Sequence, residues 1–202
     1  MNEYALICYY LKDYVKCYSL YANILCSRIP LQEHVAREYI YNSHFCIDHI
    51  CDKYTYYPSS LISTLTNPNK DGLITLTITT CKRFDLFCTT INSFLNCCTD
   101  LYLIKNWICI DDNSDEKDIV EMKRLYPFFN FIIKNKNEKG HPKSMNIIRT
   151  MILDKTHTEN YIFQLEDDWK FFHKDCFLTK CIEVLNENPN IGQCLLNKNY
   201  SE

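Results

Sequence analysis

Residues 73–98 read LITLTITTCKRFDLFCTTINSFLNCC, and their hydrophobic period changes midway. Leu73–Thr80 alternates aliphatic and threonine side chains, the period of two and the β-branched chemistry that suit a pleated strand. From Phe84 the apolar positions fall at Phe84, Phe87, Cys88, Ile91, Phe94, Leu95 and Cys98, the three- and four-residue spacing of one helix face. A strand that hands over to an amphipathic helix across Cys81-Lys82-Arg83 is the opening of a β-α-β unit.

The alternation continues towards the C-terminus. Trp107–Ile110 reads as a second strand, Asp115–Leu125 as a helix, and Phe129–Lys134 as a third strand. Pro142–Leu153 reads as a helix with proline in its first turn, where the missing amide costs nothing. Tyr161–Leu165 makes a fourth strand, a helix follows near Lys174–Asn186, and Gly192–Leu196 offers a fifth strand. This order predicts an α/β fold, a doubly wound, mostly parallel sheet with helices on both faces. Ligands in such sheets bind beyond the carboxyl ends of the strands.

Upstream the pattern is helical. Leu6, Tyr10, Tyr14, Cys17, Leu20, Tyr21 and Ile24 mark one face of a first helix. Arg28-Ile29-Pro30 interrupts it, and Val35, Tyr39, Tyr41, Cys46 and Ile50 mark a second. Residues 1–57 are therefore expected to form an N-terminal α-helical hairpin, residues 58–72 a linker rich in turn chemistry, and residues 73–202 the α/β domain. The hairpin loosely resembles one tetratricopeptide-type unit. Solenoids need about three or more repeats to bury a core, so a helical cap is the plainer reading.

Composition narrows the function classes. A net charge of -3 over 202 residues gives no basic footprint for a nucleic-acid backbone, which predicts no nucleic-acid partner. No apolar run reaches the roughly 18 residues of a membrane span, and the N-terminus lacks the pattern of a signal peptide. The 13 cysteines are odd in number, contain no C-x-x-C pair and sit mostly in apolar stretches. They read as reduced thiols, and the chain as cytoplasmic.

The chemistry gathers at strand ends. Thr79, Thr80 and Arg83 close the first strand and can bond a nucleobase or phosphate, although a helix N-cap explains the threonines about as well. Asp111 and Asp112 close the second, with Asn113 or Ser114 available to start the next helix. A dinucleotide fold would also place a carboxylate there, but no G-x-G-x-x-G follows any strand. After the third strand, Lys139-Gly140-His141-Pro142-Lys143 puts a glycine and cations, Lys143 among them, at a helix N-terminus, which suits an anion. His141 in this loop is either a ligand contact or an exposed side chain. The fourth strand ends in Glu166-Asp167-Asp168, wedged between apolar residues. A hard divalent ion completed by a diphosphate relieves such crowding.

The order of these four sites resembles the GT-A fold of glycosyltransferases, the family-2-type enzymes and their large-DNA-virus relatives, from about Leu73 to the last residue. The resemblance implies that Thr79, Thr80, Arg83, Asp111, Asp112 and Lys143 line a nucleotide-sugar donor. It implies that Glu166-Asp167-Asp168 is the D-x-D-type motif, with Asp168 the direct ligand of Mn2+ or Mg2+, and that a glycan or protein is the acceptor. A viral relative would act in the host cytoplasm or the virion. Members of that fold continue well past the acidic motif, so the resemblance casts this chain as a donor half. It would be a truncated gene, a fragment, or a piece that needs a partner chain to supply the acceptor half. Asp175, Glu183 and Glu187 fall in or beside the following helix, and none is assigned as a base. Three readings follow: a glycosyltransferase, a donor-binding module without turnover, and an interaction protein built on the N-terminal helices.

Overall fold

The computed structural model describes residues 2–27, 30–52, 56–67, 71–153 and 161–196. The chain divides into two compact units, one built on the N-terminal helices and one spanning Tyr56–Gly192.

The first unit carries α1 (Asn2–Tyr10), α2 (Tyr14–Leu25) and α3 (Glu33–Cys51). The expected first helix is thus two helices. Lys12 adopts a left-handed φ of 58°, its amide bonds Tyr9 O at 3.0 Å, and the Asp13 amide bonds Cys8 O at 2.9 Å. That pair of bonds is a Schellman stop, which satisfies the last carbonyls of α1. Asp13 then caps α2 by accepting from the Lys16 amide. The break resets the helical phase. Ala5 and Cys8 are buried on α1, whereas Leu6 and Tyr10 of the expected stripe are exposed. Cys17, Tyr21 and Ile24 of α2 pack with Tyr39, Cys46 and Ile50 of α3 in the core, and Tyr41 faces outward. Tyr21 and Tyr39 meet ring to ring at 5.5 Å. α2 and α3 form the hairpin to which α1 is added; Arg28 and Ile29 of the expected interruption lie outside the described residues.

The second unit begins earlier than the expected boundary. Tyr57 stacks on Tyr126 and its hydroxyl donates to Leu125 O, while Asn96 Nδ2 donates to Tyr56 O. Within the expected linker, Ser60–Thr66 forms α4 and buries Leu65; residues 68–70 lie outside the described residues.

Four parallel strands follow, β1 (Ile74–Thr80), β2 (Ile104–Asp111), β3 (Asn130–Ile133) and β4 (Tyr161–Glu166), in the spatial order β3-β2-β1-β4. α5 (Phe84–Cys97) joins β1 to β2, α6 (Glu116–Leu125) joins β2 to β3, α7 (His141–Leu153) carries the chain back to β4, and α8 (Phe177–Glu187) follows. Neighbouring residues of β2 show that both faces are covered. Trp107 packs against Phe94 of α5, while Ile108 and Ile110 cluster with Ile148 of α7. The α/β, doubly wound parallel sheet is therefore present. Gly192–Leu196 adds no strand to it: the segment is irregular, and Leu195 is exposed.

The core runs through β1, where Leu76 and Ile78 are fully buried beside Cys109 and Leu165. A buried aliphatic side chain of this size contributes about 1.5–3 kcal/mol. The chain builds outward from β1 through β2 to β3, then returns to lay β4 on the other side of β1. The order reverses between β1 and β4, and the crevice beyond their carboxyl ends is where this architecture binds ligands. No helix among the described residues is long and apolar enough to cross a membrane, and the described cysteines are free thiols.

Candidate functional site

Register sets the strand ends level. Thr80 pairs with Asp111, and Thr79 with Glu166, so Asp167 emerges beside Thr80 at the reversal point. Thr80 and Asp167 are buried, and the Thr80 hydroxyl donates to Asp167 Oδ2 at 2.7 Å. Arg83, at the N-terminus of α5, donates from Nε to the same oxygen at 3.2 Å. Its Nη2 forms an ion pair with Asp167 Oδ1, so the guanidinium meets both oxygens of this fully buried carboxylate. Nη1 of the same guanidinium sits 3.6 Å from Asp168 Oδ2. One side chain thus bridges both aspartates, and Asp168 remains 41% exposed.

The acidic turn is pinned from below by α5. Thr90 Oγ1 donates to Trp169 O at 2.8 Å and accepts from the Trp169 amide at 3.0 Å. Ser93 Oγ accepts from the Phe171 amide at 3.1 Å. Both hydroxyls are buried on the otherwise apolar face of α5. Two small polar residues three apart in an apolar stripe were the available signal, and the sequence reading did not use it.

At the end of β2 the two aspartates have different surroundings. Asp111 is fully buried; Oδ1 accepts from the Ser114 amide at 2.9 Å, and Oδ2 has no hydrogen-bond partner. Asp112 pairs through Oδ1 with Lys134 Nζ at 3.0 Å and accepts the Gly140 amide on Oδ2 at 2.9 Å. Lys134 also donates to Gly140 O at 2.9 Å, so this ion pair grips both polar groups of one glycine. Burial acts to raise the Asp112 carboxyl pKa, but the bonds from Lys134 and the Gly140 amide outweigh it and hold it below the usual carboxylate value. Lys134 is the participant that the sequence reading missed. Its signal was a lysine as the last residue of an apolar strand segment, and its side chain is only 1% exposed.

The loops after β1 and β2 are laced together. The Lys82 amide donates to Ser114 Oγ at 2.8 Å, and the Asp112 amide to Thr80 O at 2.8 Å. Lys82 and Asn113 both hold left-handed φ angles, 54° and 65°. Such backbone costs on the order of 1–3 kcal/mol and concentrates at ligand-binding turns. Asp115 holds the N-cap position of α6 without a side-chain cap bond, while Asn113 Nδ2 donates to Asn135 O and the Ser114 amide to Asp111 Oδ1.

Of the residues anticipated, the fold gathers Thr80, Arg83, Asp167 and Asp168 at the β1/β4 crevice, with Asp111 across from Thr80. Thr79 and Glu166 pair with each other in register and, by strand alternation, turn towards the opposite face. Lys143 is exposed and donates to Asn137 O, and His141 is exposed at the start of α7. The field at the strand ends is negative. The buried Cys109 thiol is pushed well above its ordinary pKa first by burial and then by the Asp111 and Asp167 charges. Burial likewise raises Cys81, with Asp112 and Asp111 adding to it.

Among the described residues, no three His, Cys, Asp or Glu side chains gather as a ready cage for a metal ion. The Arg83 guanidinium bridges Asp167 and Asp168, and Asp168 is the more exposed of the two carboxylates. No protein-family model matches the chain, and no curated protein is detectably similar to it in sequence.

Proposed function

We propose that the sheet unit binds a nucleotide sugar at the β1/β4 crevice as the donor for glycosyl transfer, in the manner of GT-A enzymes. The observation that carries this reading is the convergence of Thr80, Arg83, Asp167 and Asp168 at the point where strand order reverses. Asp111 supports it: a buried carboxylate with one unbonded oxygen can accept from a base N–H or a ribose hydroxyl. Arg83 supplies a planar cation for the diphosphate. Asp168, backed by Asp167, is the residue to hold Mn2+ or Mg2+. Bound there, such an ion would supply positive charge to a nucleoside diphosphate leaving group when an acceptor hydroxyl on a glycan or protein displaces it from the sugar carbon.

Calorimetric titration of the full chain with UDP-sugars and GDP-sugars, with and without Mn2+, tests the proposal. Mn2+-dependent binding of at least one donor is expected, and Asp168→Ala abolishes it. Because Asp168 is exposed, the same substitution changes stability by about 0.5 kcal/mol or less. Absence of binding heat with every donor, or an Asp168→Ala variant of unchanged Mn2+-dependent affinity, refutes the reading. Donor hydrolysis, which needs no known acceptor, then separates a transferase from a module that binds without turnover.

A further inference from the structure

We propose that the outward face of α1 is a self-association surface, on which a second copy of this chain docks its own α1, antiparallel, about a two-fold axis at Ile7. The surface lies wholly in the helical unit and owes nothing to what the crevice binds.

α1 lacks the polar back that a helix on a protein surface normally carries. Ala5 and Cys8 are buried, and Tyr9 meets Phe45 of α3 at 5.3 Å between ring centroids, which defines the inward face. At about 3.6 residues per turn, Ile7 stands opposite that face, with Tyr10 and Leu11 beside it and Leu6 and Tyr4 further round. The Leu11 amide bonds Ile7 O at 3.0 Å, so Leu11 continues the last turn. Ile7 is 52% exposed, Leu11 74% and Tyr10 79%, and Tyr4 and Leu6 are each exposed by more than two-fifths. A helix that is apolar all round belongs in an interior, and here only one side has one.

Area and charge choose the occupant. The exposed parts of these five side chains come to roughly 600 Å2, at the top of what a monomer ordinarily leaves in one patch. Two such patches facing each other bury about 1,200 Å2, the lower bound for a stable pair of protein surfaces. A two-fold interface sets each patch against itself, so a charge at its centre would meet its own copy. The centre holds none, and the charges lie at the two ends: Glu3 in the first turn and Lys12 just past the last, both exposed. An antiparallel crossing at Ile7 brings Glu3 of each copy beside Leu11 and Lys12 of the other, giving two ion pairs, and it opposes the helix dipoles. A lipid surface fits less well. α1 itself carries no Lys or Arg, whereas a helix lying on a membrane is bordered by them.

Sedimentation equilibrium of the full chain, from about 1 to 100 µM, reads the outcome, a range suited to an interface of minimum size. The apparent mass is expected to rise from 24.1 kDa to twice that value and to stop there. Ile7→Glu sets two like charges on the axis and leaves the chain monomeric throughout, with an unchanged circular dichroism spectrum. Leu11→Glu, which faces Glu3 in the same pairing, is the second variant should the first not fold. Glu3→Lys and Lys12→Glu each turn two attractions into repulsions and weaken the dimer about tenfold, and the two together restore it. A wild-type chain that stays monomeric at the top concentration, one that grows past a dimer, or a dimer indifferent to the folded glutamate variants overturns the proposal. Single charge swaps that weaken association without rescue by the double swap overturn the antiparallel pairing. A monomer that floats with phosphatidylserine vesicles, and no longer does so as Ile7→Glu, assigns the face to lipid instead.

Discussion

Replacing Lys134 by methionine deletes an ammonium group while keeping most of the stem that fills its site. The group removed is 1% exposed and lies 3.0 Å from Asp112 Oδ1 and 2.9 Å from Gly140 O. Removing one partner of a buried ion pair costs about 3–5 kcal/mol, because the other charge is left stranded. Asp112 keeps the Gly140 amide bond and is 15% exposed, so water reaches it in part and the lower figure, about 3 kcal/mol, applies. Urea unfolding followed by tryptophan fluorescence measures this cleanly, since Trp107 and Trp169, both tryptophans of the chain, lie in the sheet unit. With a slope of about 2 kcal/mol/M, the midpoint falls by about 1.5 M. Adding Asp112→Asn to Lys134→Met removes the stranded charge and recovers part of the loss. The pH dependence has a definite sign. The folded-state pKa of Asp112 is depressed, so its contribution is present above the unfolded value of about 3.9 and disappears as pH falls through the folded value. The penalty of Lys134→Met therefore shrinks in acid. A single variant within about 0.5 kcal/mol of wild type, or a double variant no more stable than the single, refutes this account of the clamp.

Two further substitutions test the sheet. Ile78→Asp places an unpaired charge in the fully buried central strand and should abolish the cooperative fluorescence transition, whereas Ile78→Val costs only about 1 kcal/mol; a cooperative transition in the aspartate variant would contradict the burial. Gly72→Ala would bring a new Cβ within 2.8 Å of Lys105 Cβ and 2.9 Å of its amide nitrogen, for an expected loss of about 1–3 kcal/mol. Gly192→Ala, with nothing within 4 Å, is the neutral control, and equal midpoints for the two alanine variants would dispose of the close approach.

The strands and helices from Leu73 to Leu153 were legible because each carries its own period. Thr/Ile alternation in β1 and the Phe87, Ile91, Phe94 stripe of α5 are local facts, and tertiary packing agrees with them. The stop at Lys12 was not legible. Only the backbone there is unusual, and a lysine carries none of the signature that a glycine gives to a left-handed cap. The apolar pattern runs on across it, so the expected stripe joined Leu6 and Tyr10 to a face they do not share. Gly192–Leu196 failed for the converse reason: an apolar run makes a strand only where a partner covers it, and Leu195 and Ile191 remain exposed. At the crevice, sequence placed Asp167 and Arg83 each beyond a strand. That the two would pair across 84 residues follows from strand order, which no local pattern encodes.

The grip on Gly140 has a consequence for how the loop before α7 can vary. Asp112 and Lys134 seize its main-chain amide and carbonyl, so the tether reads no side chain at all. The glycine itself must stay, at a φ of 110°, whereas Lys139 and His141 on either side of it are exposed. A loop moored by its backbone can be rewritten residue by residue without slipping its anchorage. That makes Lys139 and His141 the natural positions at which to graft a new ligand preference onto an unchanged frame.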